Sequence, residues 1–120
     1  MIQRKVEVAL GDRSYPVYVG TEVAPSFAPT CQQHGIPRRV GVITDTNVAP
    51  HYLKPLEESL RASEFTVSLI VLSPGEQQKS LSRTNFICTD LLKEGVGRKC
   101  ALVALGGGVI GDLVGFVAAT

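Results

Sequence analysis

Three short apolar runs, at residues 40–44, 65–72 and 101–105, alternate with longer segments in which apolar residues recur at helical spacing. Such runs suit strands covered on both faces, and strands of that kind sit in parallel sheets whose helical crossovers supply the covering layers. The chain therefore reads as α/β, a Rossmann-like parallel sheet flanked by helices. Residues 23–34 form an expected short helix, stopped by Gly35 and Pro37. Residues 48–62 form a second, with Pro50 near its first turn and Pro55 as an interior irregularity. Residues 81–94 form a third, with Phe86, Leu91 and Leu92 expected inward and Gly95 and Gly97 closing it. Residues 109–120 form the last. Ahead of this unit the spacing changes. Val6, Val8 and Leu10 alternate, Gly11-Asp12-Arg13-Ser14 supplies turn chemistry, and Tyr15, Val17 and Val19 alternate again, which predicts an N-terminal β-hairpin serving as an edge ribbon.

At 120 residues the chain holds one domain, 1–120, and 44% hydrophobic against 19% charged residues is enough apolar material for a core and too little charge for disorder. Twelve Lys and Arg against eleven Asp and Glu leave no basic field for a phosphate backbone, so nucleic acid is not expected as a partner. The segment 101–120 has the length of a bilayer span, but Asp112 near its centre and three consecutive glycines argue against a membrane. The N-terminus lacks an apolar stretch and a cleavage site for export. Cys31, Cys88 and Cys100 are odd in number and without Cys-x-x-Cys spacing, which implies reduced thiols in a cytoplasmic protein. His34 and His51 lie far from any ligand-like cluster, so no metal site is expected within this chain; His34 reads as a surface residue at a helix end.

Chemistry is suggested by three segments, each following a strand. Gly106-Gly107-Gly108-Val109-Ile110-Gly111 fits G-x-G-x-x-G between an apolar strand and a helix. Glycines there let backbone N–H groups approach a pyrophosphate closely, and the helix macrodipole favours its charge. The motif follows the last strand here rather than the first, unlike the usual dinucleotide fingerprint, and a tight strand-to-helix turn is the alternative explanation. Asp112, placed in the first helical turn, gains from the dipole; beside a pyrophosphate it would instead have to face cofactor hydroxyl groups. Gly107, Gly111, Gly115 and Ala119 recur every four residues, a stripe without bulk that predicts close packing, on the sheet or a neighbouring helix in the case of Gly115. Glu76 and Lys79, in Pro74-Gly75-Glu76-Gln77-Gln78-Lys79, and Asp45 and Asn47 have bland readings as an exposed ion pair and a helix cap. In a parallel sheet, however, all three loops leave the same carboxyl edge, where one ligand could touch them all.

These segments, taken in order, resemble the N-terminal, NAD-binding half of 3-dehydroquinate synthase. The resemblance rests on Asp45-Thr46-Asn47, on residues 74–79, and on the run from Gly106 to Phe116, which is similar to a motif of sugar-phosphate cyclases. It implies that Asp45, Asn47, Glu76 and Lys79 serve the adenosine side of NAD. It also implies that Gly107, Gly108 and Val109 meet the pyrophosphate, that Asp112 meets the nicotinamide ribose, and that Gly75, Ile110 and Gly111 belong to the same cofactor-binding set. Such an enzyme converts 3-deoxy-arabino-heptulosonate 7-phosphate to 3-dehydroquinate and phosphate, in the shikimate pathway of aromatic amino acid biosynthesis, by transient oxidation on bound NAD. The family adds a divalent metal, zinc or cobalt, whose ligands lie in a C-terminal half, so no catalytic or metal-binding residue is assigned here. The resemblance thus implies a piece of a longer two-domain lyase, inactive alone, acting on a small-molecule substrate. A homodimer is the expected assembly, favoured by an exposed apolar surface. Other members of the cyclase superfamily, an iron-type alcohol or glycerol dehydrogenase domain, and a noncatalytic nucleotide-binding module are the alternatives.

Overall fold

A computed structural model of the chain describes residues 2–20, 24–73, 81–95, 97 and 99–119. Five strands and four helices follow in order: β1 (Ile2–Val8), β2 (Tyr15–Gly20), α1 (Ala24–Gln33), β3 (Arg39–Asp45), α2 (Ala49–Ala62), β4 (Thr66–Leu72), α3 (Leu81–Lys93), β5 (Ala101–Leu105) and α4 (Gly108–Ala119). The expected alternation of strands and helices holds throughout, with boundaries shifted by a residue or two. A 3-10 turn at Gly11–Arg13 joins β1 to β2, where the Ser14 hydroxyl accepts from the Leu10 amide and donates to the Gly11 carbonyl.

The three apolar strands form one parallel sheet in the order β4-β3-β5. Strand β3 lies between the others, and Val40 to Asp45 are buried on it. Its alternation divides the interior into two layers. Val40 and Val42 pack with Ala28, Leu56, Leu60, Phe65 and Val67 beneath α1 and α2. Ile43 packs on the other side with Ile70, Leu72, Ile87, Leu91, Ile110 and Leu113 beneath α3 and α4. Helices therefore cover both faces, as the uninterrupted runs require.

Two local expectations change. Leu91 is inward as expected, but Phe86 and Leu92 stand 55% and 67% exposed, and Ile87 is the buried residue of that turn. A 3.6-residue period cannot bury 91 and 92 together along a narrow stripe; positions 87 and 91, four apart, share the inward face. The hairpin is no edge ribbon of the main sheet: β1 and β2 form a separate two-stranded sheet. Their pairing places Val6 opposite Val17 and Val8 opposite Tyr15, and Val6, Tyr15, Val17 and Val19 remain exposed. The opposite face carries Tyr18, whose hydroxyl lies 3.0 Å from His34 Nε2 at the end of α1, so the expected surface histidine ties the hairpin to the helix.

The prolines inside helices are accommodated rather than avoided. Pro29 has no N–H to give the carbonyl of Pro25, and the Ser59 hydroxyl of α2 lies 3.4 Å from that orphaned oxygen. Pro55 deprives the His51 carbonyl in the same way, on a face where both residues are exposed and water can serve.

Helices α1 and α2 end alike. After α1, Ile36 N–H reaches back to the Cys31 carbonyl at 3.0 Å, with Gly35 at φ +71° between them. After α2, Phe65 N–H reaches the Leu60 carbonyl at 3.0 Å, but the left-handed position is held by Glu64 at φ +68°. This six-to-one closure needs a positive φ, which suits glycine and strains a residue with a Cβ. The strain at Glu64 is maintained by its surroundings: the Ser63 carbonyl accepts from Gln32 Nε2 at 2.9 Å and from Arg38 Nη1 at 2.7 Å. Glu64→Gly is expected to stabilise the protein by about 0.5–1 kcal/mol, read as a higher urea midpoint at unchanged slope. A lower midpoint would show that the Glu64 side chain contributes more than its backbone costs.

Candidate functional site at the carboxyl edge of the sheet

The strand order locates a crevice. From β3 the chain moves to one neighbour through α2, and β5, on the other side of β3, is followed by α4; α2 and α4 lie on opposite faces of the sheet. Loops leaving adjacent strand ends toward opposite faces open a gap between them, the place where open α/β sheets bind ligands. Here the gap lies between the turn after Asp45 and the turn after Leu105.

The first wall is built by Asp45. Its Oδ1 accepts from the backbone amides of Asn47 and Val48, both at 2.9 Å, which braces the turn that leads from β3 into α2. Asp45 is only 9% exposed, whereas the Asn47 side chain is exposed beside it. The expected helix cap is not formed: the N-cap position of α2 is Val48, which makes no side-chain bond, and the Asp45 carboxylate holds the turn one step earlier. The amide of Thr46 donates to the Leu72 carbonyl at 2.9 Å, tying the end of β3 to the end of β4.

Gly106 and Gly107 form the second wall, and the two glycines differ. A Cβ on Gly106 would lie 3.1 Å from Ile110 Cβ and Cγ1, so the fold itself requires a small residue there. On Gly107 a Cβ would meet no described atom within 4 Å. Among the described residues the space beside Gly107 is open, and its carbonyl accepts the amide of Gly111 at 3.0 Å, which makes it the residue that opens α4. The N–H groups of the first helical turn have no acceptor inside the helix, so they and the macrodipole face this opening. Ile110 is 2% exposed and contributes its side chain to the core, which leaves its backbone for any ligand.

Asp112 is the fifth residue of α4, not part of its first turn, and it is exposed. The dipole falls off within one turn, so the electrostatic explanation for an acid there weakens. Helical Cα–Cβ bonds tilt toward the N-terminus, which leans a side chain at this position back over the start of α4. The glycine stripe also departs from expectation. Ile110, Leu113, Val114 and Val117 form the buried face, while Gly111, Gly115, Ala118 and Ala119 are exposed, and no described atom comes within 4 Å of a Cβ on Gly111 or Gly115. Gly115 is therefore not packed against this sheet or against a described helix.

Gly75, Glu76 and Lys79 lie outside the described residues. Sequence reading missed Thr44. It is fully buried at the end of β3, and its hydroxyl donates to the Leu105 carbonyl at 2.6 Å, directly before the glycines. The available signal was a threonine closing an apolar strand, easily taken for β-propensity. Among the described residues no group of three or more His, Cys, Asp or Glu could hold a metal ion. Cys31 is half-buried, and burial pushes its thiol pKa up, which keeps it protonated and unreactive. His51 is exposed in α2 with its ring edge-on to Tyr52. No described helix is long and apolar enough to cross a membrane.

Known proteins resemble this chain in sequence and in fold. The family model for the 3-dehydroquinate synthase N-terminal region matches residues 69–120. The 3-dehydroquinate synthase of Nitrobacter winogradskyi is 45% identical over 114 residues, which cover 95% of this chain and 30% of that protein. That of Acidithiobacillus ferrooxidans is 44% identical over 119 residues, 97% of this chain and 32% of that protein. The chain thus spans about a third of the length of the curated relatives it matches. Among solved structures, a 2-deoxy-scyllo-inosose synthase complexed with carbaglucose-6-phosphate, NAD+ and Co2+ superposes with TM-score 0.84 at 22% identity, over 98% of this chain and 32% of that one. A 2-epi-5-epi-valiolone synthase from Streptomyces hygroscopicus with NAD+ and Zn2+ bound gives TM-score 0.72 at 26% identity, over 93% and 31%. The α/β architecture is that of the sugar-phosphate cyclases, and by sequence the chain is related to 3-dehydroquinate synthases through their N-terminal region.

Proposed function

We propose that this chain is the NAD-binding part of a 3-dehydroquinate synthase, a lyase that converts 3-deoxy-arabino-heptulosonate 7-phosphate to 3-dehydroquinate and phosphate. The observation that carries the reading is the open space beside Gly107, at the crevice and at the start of α4, within the segment that matches the family. Identity near 45% to the synthases, against 22–26% to the inosose and valiolone synthases, favours this member of the superfamily over the others.

NAD fits the residues present. Gly107 leaves room for a pyrophosphate against the first-turn amides of Gly108, Val109 and Ile110, and the helix end favours its charge. Asp45 and Asn47, with Gly75, Glu76 and Lys79, take the adenosine side; Gly111 keeps the approach along α4 clear, and Asp112 accepts from the nicotinamide ribose. Bound there, NAD would supply a reversible hydride acceptor for a substrate carbinol, with no net redox change. A divalent metal does not fit the described residues, and its ligands are assigned to the part of the enzyme outside this chain. The intact protein is proposed as a cytoplasmic homodimer with a small-molecule substrate, a reading supported by the exposed apolar side chains of the hairpin.

Calorimetric titration of the chain with NAD is expected to show saturable binding, without turnover of the heptulosonate phosphate by the chain alone. Gly107→Val is expected to weaken that binding at least about tenfold while changing stability by no more than about 1 kcal/mol, because its side chain enters the ligand's space and not the protein's. Absence of binding by the parent chain would overturn the reading.

Asp45 allows its two roles to be separated. Asp45→Asn keeps an oxygen for the turn amides of Asn47 and Val48 and is expected to hold stability within about 0.5 kcal/mol, yet to weaken NAD binding through loss of the carboxylate charge. Asp45→Ala is expected to lose about 1 kcal/mol of stability as well. Equal NAD affinity in Asp45→Asn and the parent would confine Asp45 to holding the turn.

A further inference from the structure

The end of β3 holds a polar group that the fold does not require. Along one face of this strand Val40 and Val42 are buried in the layer beneath α1 and α2, and Thr44 follows them at full burial. Valine has the same shape and would fill the position without a hydroxyl to desolvate; a buried hydroxyl is destabilising unless it is bonded. It is bonded, to the carbonyl of Leu105, its register partner on β5, at 2.6 Å.

We propose that Thr44 is a positioning residue for the glycine-rich turn, holding the Leu105–Gly106 peptide so that the turn presents its amides to a diphosphate. The inference rests on the NAD reading for its ligand, but not for its geometry. A trans peptide is planar, with C=O and N–H pointing opposite ways. Fixing the Leu105 oxygen on β3 therefore aims the Gly106 N–H away from β3. Immediately downstream, Ile110 closes on Gly106, so the turn is held on one side by the Thr44 hydroxyl and on the other by a core side chain. Without the hydroxyl the peptide is free to rotate, since glycine at both 106 and 107 imposes little conformational restraint. Thr44 also adjoins Asp45, whose carboxylate holds the turn leading into α2. One dipeptide thereby fixes both walls of the crevice, Thr44 across to β5 and Asp45 forward to α2.

The test compares Thr44→Val, which removes only the hydroxyl, with Thr44→Ser, which retains it. In the chain without ligand, amide hydrogen exchange at Gly106 and Gly107 is expected to quicken about tenfold in Thr44→Val. NAD affinity is expected to fall about tenfold, and Thr44→Ser is expected to restore both to within about threefold of the parent. A role confined to stability would not be rescued in this pattern, because serine packs the site less well than valine while keeping the hydrogen bond. Parent-like exchange and affinity in Thr44→Val, or failure of Thr44→Ser to restore them, would overturn the proposal. If Thr44→Val does not fold, Thr44→Cys, close in volume and a far weaker donor, carries the same expectations. Should the parent chain not bind NAD at all, the NAD reading fails by itself and the exchange rates still decide the role of Thr44.

Discussion

The burial of β3 is the constraint from which the rest of the structure follows. It is hydrogen-bonded on both sides, to β4 and to β5, and side chains on its two faces enter the two core layers. A strand enclosed this way has no free edge and no wet face, so its middle, Val40 to Ile43, carries no polar side chain, and its parallel neighbours are reached through helices that cover both sides. Burial at roughly 25 cal/mol per Å² makes Val40, Val42 and Ile43 the residues least able to move. Whatever their carboxyl ends hold is held rigidly, and the crevice takes its geometry from that rigidity.

This constraint also explains which parts of the fold were legible in the sequence. The apolar runs at 40–44, 65–72 and 101–105 announced the sheet, because a doubly covered strand can tolerate few polar interruptions. Gly35 announced the end of α1, since its left-handed turn is easiest for glycine. The end of α2 gave no such sign: Glu64 adopts the same conformation against its preference, supported by donors from Gln32 and Arg38 that are distant in sequence. The inward face of α3 was misassigned for a related reason. Composition marks Phe86 and Leu92 as core residues, but angular position on the helix decides, and Ile87 and Leu91 occupy the buried side. The hairpin was recognisable from its alternation, whereas its separation from the main sheet depends on contacts that no local pattern encodes.

The site was legible to a different degree. Convergence of the loops after β3 and β5 followed from a parallel sheet alone, and Asp45 was readable as an acceptor for backbone amides, though it holds the turn before α2 and not the helix end itself. Thr44 was not readable. Its identity is compatible with strand propensity, and only the 2.6 Å approach to the Leu105 carbonyl distinguishes a hydroxyl with a fixed partner from a β-branched filler. Polar atoms inside an apolar strand are costly enough that each should have a partner, and the identity of that partner, a backbone carbonyl next to two glycines, carries the information.

The glycines of the turn and of α4 separate what the fold needs from what it merely permits. Gly106 is required internally, because a side chain would strike Ile110. Outside their own stretch of chain, Gly107, Gly111 and Gly115 are approached by no described atom, and a glycine inside a helix, as at 111 and 115, costs about 1 kcal/mol relative to alanine. On the proposed NAD reading, Gly107 stands where a methyl group would occupy the space a diphosphate needs to reach the helix amides. The same reasoning makes the exposed face of α4, lined by Gly111, Gly115, Ala118 and Ala119, a surface shaped for close approach rather than for the stability of the helix that carries it.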